Sequence, residues 1–448
     1  MNLSVDEVLR NLSSDIEINK RENLMNRSFI ITKKEVINHL EKCRNLTKLL
    51  LKNIHPKYLY MVSKEMPHPL IFELGHTALF FDNFINRFIN KRYPKREEMK
   101  LFDSIMNLPK ERELMEFPCI EKQWIYYNEI IEEIIENLPE EINNITSHLL
   151  YQCILHHYMH IEVYIFLLNS LGLCSNLLCN FKSLNKSKSI EYIDILGDDF
   201  IQGKIRLNYD NNKKVYDNNI YWWDNEYPSF VNNVDRFSVS KYPITNEQYI
   251  KFVEDGGYNR EELWSYEGWR WRCRNNISLA YNYYYIDGKY YRSVFNELRL
   301  LELDYPLCHI SYYEGEAIGE YYNSRLPSES EMEYLMKSCI KYGNIDYSGD
   351  ICSVYEFDDS NKEGVYGLMG NVWQWTRTPF YPYKGYEIDP TYERFSYPFF
   401  FFRMIVKGGA WCNPKELIYP EYRNAQEKET RVQYIGLRLV KKIENMKE

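Results

Sequence analysis

Residues 146–171, TSHLLYQCILHHYMHIEVYIFLLNSL, read as one long helix, ended by Gly172 as a left-handed C-terminal cap. Upstream, Glu121–Leu138 carries Trp124, Tyr127, Ile131, Ile134 and Leu138 at steps of three and four, and Pro139 stops the pattern. Residues 33–54 and 69–91 show similar periodicity. Four amphipathic helices make an antiparallel bundle the default arrangement.

Downstream, Cys174–Ile190 (CSNLLCNFKSLNKSKSI) is rich in Asn, Ser and Lys and reads as a linker. Beyond it the character changes. Eight of the nine Trp follow residue 200, Gly becomes common, and short apolar-aromatic runs alternate with turns. Two helices are well signalled there. Thr245-Asn246-Glu247-Gln248 is a capping-box pattern opening a helix that Gly256-Gly257 ends, and Ser328-Glu329-Ser330-Glu331 opens another running to about Ser338. The rest reads as an irregular α+β domain. The expected class is therefore α plus α+β, with domains at 1–175 and 190–445.

The chain has 448 residues, 55 basic and 64 acidic side chains, and a formal charge of −9, which argues against an extensive nucleic-acid groove. With 45% hydrophobic and 27% charged residues it is globular rather than disordered. No secretory pattern opens it, and no stretch approaches the ~18–20 apolar residues that span a bilayer. Ten cysteines without a CxxC suit neither a disulfide framework nor a zinc ribbon. A cytoplasmic protein that binds neither nucleic acid nor membrane is expected; the sequence is silent on its oligomeric state.

Eight of the nine histidines lie within the first 160 residues, so a metal or acid–base centre belongs to the bundle. In His156-His157-Tyr158-Met159-His160-Ile161-Glu162, a step of about 100° per residue stacks His156 and His160 on one helix face, able to share an ion. Glu162, about 200° beyond His160, points elsewhere. The pattern is not HExxH, since His157 stands where the general-base Glu belongs. A third ligand must come from another element. His76, in Phe72-Glu73-Leu74-Gly75-His76-Thr77, supplies one from a second helix, with Gly75 allowing close backbone approach. Imidazoles suit Fe, Cu, Ni or Zn, and spacing alone does not choose. His55, His68, His157 and His309 read as structural.

The run His68-Pro69-Leu70-Ile71-Phe72-Glu73-Leu74-Gly75-His76-Thr77-Ala78 resembles the first iron-ligand segment of the sulfoxide synthases of ergothioneine and ovothiol biosynthesis. His156–Glu162 resembles their HxxxHxE motif. The second half is similar to the formylglycine-generating-enzyme-type domain fused to it, a variant of the C-type-lectin fold. The segments that carry this are Val239–Asn246, Phe252–Tyr258, Glu267–Trp271, Arg325–Glu329, Gly370–Thr376, Lys407–Trp411 and Gly436–Arg438. They occur in the family's order across nearly the whole chain. The resemblance implies an N-terminal DinB-like four-helix bundle and a C-terminal formylglycine-generating-enzyme-type (C-type-lectin-like) domain.

It further implies an Fe(II) enzyme that uses O2 to join a cysteine-type thiol to the imidazole carbon of histidine or trimethylhistidine, leaving a sulfoxide. His76, His156 and His160 are the implied iron ligands, and Tyr383, in Tyr381-Pro382-Tyr383-Lys384-Gly385-Tyr386, the implied catalytic tyrosine. Implied substrate-binding residues are Arg112, Arg394, Arg423, Gln426 and Arg431. Met159 and Gln426 depart from the ergothioneine pattern, so the choice between cysteine and γ-glutamyl-cysteine, and between the two branches, stays open. A formylglycine-generating enzyme would need two cysteines where Cys412 stands alone. Two other readings remain: a metal-dependent DinB-type thiol transferase or isomerase, and a non-catalytic lectin-like binding protein.

Overall fold

The computed structural model describes residues 29–63, 68–83, 97–104, 109–179, 181–184, 186–204, 207–210, 213–216, 220–389, 391–392 and 394–442. Among the described residues, the N-terminal part holds four long helices: α1 (Lys33–Leu51), α2 (Leu70–Phe81), α3 (Ile120–Asn137) and α4 (Asn144–Ser170). The far end of the 69–91 helix, residues 84–91, falls outside the described residues. Helix α1 packs on α4, and α2 packs on both α3 and α4.

Local chemistry accounts for the helix ends. Thr32 and Glu35 form a reciprocal capping box on α1, and Asn143 accepts from the Thr146 amide at the start of α4. Gly172, at φ +62°, turns the chain out of α4, and the Leu173 amide returns to the Leu168 carbonyl. Helix α2 differs from the others. Every residue from Leu70 to Phe81 is buried, as expected of a helix that is apolar nearly all round. The exceptions within it, Glu73, His76 and Thr77, therefore sit in the protein interior.

The second part is α+β. One antiparallel sheet orders Tyr192–Ile195, Phe237–Ser240, Val440–Lys441 and Ser324–Arg325, so the domain's first and last strands flank the same neighbour. A second orders Asn424–Gln426, Met404–Lys407, Trp373–Pro379 and Ile435–Gly436, the last pair parallel. Residues 283–300 form a three-stranded meander. Arg438 ties the two larger sheets: its guanidinium donates to Gln374 Oε1, Ser240 O and Tyr366 O at 2.6–2.7 Å. The Gly436-Leu437-Arg438 segment is thus a structural fastening.

The helices expected at Thr245 and Ser328 form, as Asn246–Glu254 and Glu329–Met336, each with a capping box. Two more were not anticipated. Tyr266–Asn275 is capped by Ser265, and Tyr312–Tyr321 by a Ser311/Glu314 box despite Gly315 and Gly319. Nor is the segment 174–190 a loose tether. Cys179 Sγ contacts Ser348 O, Ser183 and Leu184 bind the Asp304 carboxylate, and the Ser187 amide donates to Glu247. One apolar core runs from the helices into the mixed domain.

Candidate metal centre

His156 and His160 are one turn apart on α4, and α2 brings His76 against them. The three ring centroids lie 4.4–5.2 Å apart, and one nitrogen from each ring falls within 4.8 Å of the others. His156 Nε2 and His160 Nε2 are 3.2 Å apart.

The other ring nitrogens decide which atoms face this centre. His76 Nδ1 is 2.8 Å from the Phe102 carbonyl, which can only accept, so Nδ1 carries the proton. His160 Nδ1 is 2.5 Å from Glu73 Oε2 and donates to it likewise. Both rings thereby direct an unprotonated Nε2 inwards. His156 Nδ1 is buried without a hydrogen-bond partner among the described residues, and its ring stacks on Phe80 at 3.6 Å with an 8° interplanar angle. Burial first, and the neighbouring rings second, push His76 down to about 3 and His156 well below the ordinary imidazole value, so these rings stay neutral. Nitrogens that bind one metal at about 2.1 Å stand about 3.0–3.4 Å apart, which matches the His156–His160 spacing. Three convergent imidazoles, with the far nitrogens of two held by a carbonyl and a carboxylate, fit a divalent transition metal.

Glu73 is the residue that sequence reasoning passed over. Its Oε1 lies 2.6 Å from His68 Nε2 and its Oε2 holds His160. The Arg112 guanidinium, which can only donate, is 2.9 Å from His68 Nδ1, so the His68 proton lies on Nε2, towards Glu73. Burial alone would raise the Glu73 carboxyl, but its close contacts with His160 and His68 hold it well below its usual value. Arg112 also lies 3.9 Å over the Phe72 ring, which stacks on His76. His68, expected to be structural only, is therefore the link between Arg112 and Glu73. The available signal was a lone carboxylate three residues before His76 in an otherwise apolar helix.

Gly75 makes room for Phe102: a Cβ there would fall 2.5 Å from the Phe102 ring, whose carbonyl orients His76. Glu162 points away from the centre. It accepts from Trp373 Nε1 at 2.8 Å and Asn413 Nδ2 at 2.7 Å, joining α4 to the mixed domain, and burial pushes it up to about 7.

The remaining expected site residues are dispersed. The Tyr383 hydroxyl is 3.2 Å from both Glu329 and Gln202, and its ring packs on Phe230 and beneath Arg423, all residues of the mixed domain. Among the described residues, the tyrosine ring beside the centre is Tyr392, whose ring centroid is 6.0 Å from His156 and 5.1 Å from Phe80. Arg423 is a buried ion-paired residue, bound to Glu329 at 2.6 Å and to the carbonyls of Asn225 and Tyr381. Arg431 is likewise paired with Glu314 at 3.0 Å and bound to the Leu279 carbonyl. Both guanidiniums are thus engaged by buried carboxylates and carbonyls. Gln426 bonds Asn424 within a strand, and Arg394 is exposed in the loop that carries Tyr392.

Fold and site together define a two-part protein: a helical region with three convergent imidazoles, joined to an α+β domain that delivers a tyrosine to them. The chain belongs to the family of the sulfatase-modifying factor enzyme 1-like domain, whose model matches residues 193–443, more than half of its length. It is similar to the hercynine oxygenase of Mycobacterium tuberculosis, 29% identical over 242 residues, which cover 48% of this chain and 55% of that one. The hercynine oxygenase of Mycolicibacterium thermoresistibile is 29% identical over 247 residues, 49% of this chain and 54% of its own. The chain thus spans about half the length of the curated relatives it matches. Among solved structures, PvdO from Pseudomonas aeruginosa aligns over 58% of this chain and 97% of its own, with 15% identity and a TM-score of 0.38.

Proposed function

We propose that the protein is a nonheme iron(II) oxygenase that joins a cysteine-type thiol to an imidazole carbon of histidine or trimethylhistidine and leaves the sulfur as a sulfoxide. The observation that carries this is the meeting of His76, His156 and His160 through inward-facing nitrogens, in a chain related to proteins named for oxygenating hercynine. The thiol S–H and an imidazole C–H give way to a C–S bond. One atom of dioxygen ends on sulfur and the other leaves as water, so the four electrons dioxygen accepts equal those lost in forming the bond and oxidising sulfur.

Iron(II), held by the three Nε2 atoms, would supply dioxygen activation and a position for the thiolate. The chain's own residues do the rest. Phe80 and Phe72, packed on His156 and His76, keep water from the ligand side. Arg112, whose charge is held beside the site by Phe72 and His68, binds a substrate carboxylate. Arg394 and Gln426 are secondary candidates for substrate contacts. Burial raises the Tyr392 phenol above its usual value, so Tyr392 Oη keeps its proton at neutral pH and can donate it. On this reading Tyr392 rather than Tyr383 is the catalytic phenol. The substrates are small molecules (histidine or trimethylhistidine, cysteine or γ-glutamyl-cysteine, and O2). None of the described helices is long and apolar enough to cross a membrane.

The test is anaerobic purification, iron loading, and oxygen-electrode and mass-spectrometric assay with each pair of substrates. Uptake that requires both substrates, and a product mass equal to their sum plus one oxygen less two hydrogens, is expected. Zinc occupancy with no oxygen uptake would overturn the proposal in favour of a thiol transferase.

A further inference from the structure

Helix α4 presents His148, Gln152, His156 and His160 at four-residue steps, one stripe along one face. Asp389, Thr391 and Tyr392 meet this stripe in order. Asp389 Oδ2 is 3.1 Å from His148 Nε2, with both side chains almost fully buried. The Thr391 hydroxyl shares its one proton between Asp389 Oδ1 and, at 3.3 Å, Gln152 Oε1, and the Tyr392 ring meets His156. The turn is itself tightly closed. Asp389 Oδ1 accepts from the Thr391 amide at 2.8 Å and the Thr391 hydroxyl at 2.6 Å, while the Tyr392 amide returns to the Asp389 carbonyl at 3.1 Å. On either side, Tyr386 and Ser396 both donate to the buried Asp224 carboxylate. A closed turn fastened at two points, one and two helical turns before His156, gives the next side chain a single place to go.

We propose that His148 and Gln152 are positioning residues, which seat the Asp389–Tyr392 turn on α4 and so hold the Tyr392 phenol at the three-histidine centre. The proposal rests on the reading of Tyr392 as the reacting phenol. The stripe on α4 is then both ligand set and docking rail: its second half holds the metal, and its first half sets where the mixed domain's tyrosine stands. Neither His148 nor Gln152 touches metal or substrate; both act through Tyr392.

His148→Phe is the informative variant, because His148 stacks on Tyr221 at 5.0 Å and 25°, and a phenyl ring keeps that contact while losing the nitrogen. Gln152→Leu removes the second fastening, and His148→Gln restores a side-chain N–H as the rescue. Two readouts are taken: hydrogen exchange of the peptide containing 386–396 in the metal-free protein, and product partition in the iron-loaded one. The first two variants are expected to exchange faster in this peptide with unchanged iron content. Their sulfoxide yield should fall by about tenfold to a hundredfold through kcat, with KM little moved, the unsulfenylated oxidised thiol taking its place. His148→Gln should recover both readouts.

Unchanged exchange in His148→Phe and Gln152→Leu would overturn the seating, and faster exchange with wild-type sulfoxide yield would overturn its role in positioning. If His148→Phe fails to fold, Gln152→Leu decides by the same two measurements. A wild-type protein that makes no sulfoxide would sink the functional reading, while the exchange measurement would still judge the seating on its own.

Discussion

Glu73 Oε2 accepts a hydrogen bond from His160 Nδ1 at 2.5 Å inside a helix with no exposed residue. A carboxylate so placed fixes which nitrogen of His160 faces the centre and makes that nitrogen a stronger donor to a metal. Its second oxygen, held by His68 and through it by Arg112, leaves the carboxylate little freedom to turn away. The ligand set is therefore four residues deep, from Arg112 to His68 to Glu73 to His160.

Replacing that carboxylate by its isosteric amide tests this depth. Glu73→Gln should lower metal affinity by about 10–100-fold, measured by competition with a chelator of known affinity. An affinity within twofold of wild type would make Glu73 a bystander.

The two tyrosines make opposite predictions. Tyr392→Phe should bind iron normally yet lose sulfoxide formation, or divert to thiol oxidation, whereas Tyr383→Phe should retain the product. The expected loss for Tyr392→Phe is about a hundredfold to ten-thousandfold in sulfoxide rate, the range for a positioned proton donor. The reverse result would return the role to Tyr383, and mass spectrometry of the products distinguishes the cases.

Gly75→Ala should act at a distance from any ligand atom. A methyl group 2.5 Å from the Phe102 ring forces that residue away, and its carbonyl orients His76. A cost of about 1–3 kcal/mol in stability is expected from overpacking. Metal affinity should fall with it. A denaturant titration and a chelator competition, run on the same sample, check both.

Away from the centre, His309 gives a pH dependence with a definite sign. Burial first, and Arg292 second, depress it to about 4 from the usual 6.5, against the carbonyls of residues 431–433 that favour its charge. Tyr434 and Tyr281 cover its ring. The unfolded chain thus binds a proton that the folded chain refuses between pH 6.5 and about 4. Stability contributed by the neutral ring is complete above pH 6.5 and declines as pH falls, at about 1.4 kcal/mol per unit. His309→Asn, which tolerates the φ of +60° at this position, should flatten that slope in melts compared between pH 7 and pH 5. An unchanged slope would contradict the assignment.

Much of the helical part was legible. The extents of α3 and α4 follow, within two residues, from periodicity and the stops at Pro139 and Gly172, and the His156/His160 pair from the helical repeat, while α1 ends at Leu51 rather than at 54. Gly172 stops α4 where a left-handed cap was expected. The Tyr266–Asn275 and Tyr312–Tyr321 helices escaped notice, because the first is crowded with aromatic and charged residues and the second carries two glycines. Their local signals were the Ser265 cap and the Ser311/Glu314 capping box. Among the site residues, Tyr383 and the arginines at 423 and 431 were placed by resemblance of short segments, which carries no record of what each side chain is already bonded to.

By itself the sequence determined what local geometry controls: a helix face bearing two imidazoles one turn apart, a second helix carrying a third, and a change of architecture after residue 190. Only the tertiary structure decided that Glu73 stands behind His160, that Arg423 and Arg431 are occupied by buried carboxylates, and that Tyr392 rather than Tyr383 reaches His156. The physical reason is range. A helical turn links residues three and four apart, whereas the contacts that seat Tyr392 join residues 239 and 241 positions apart and exist only once the two parts pack together.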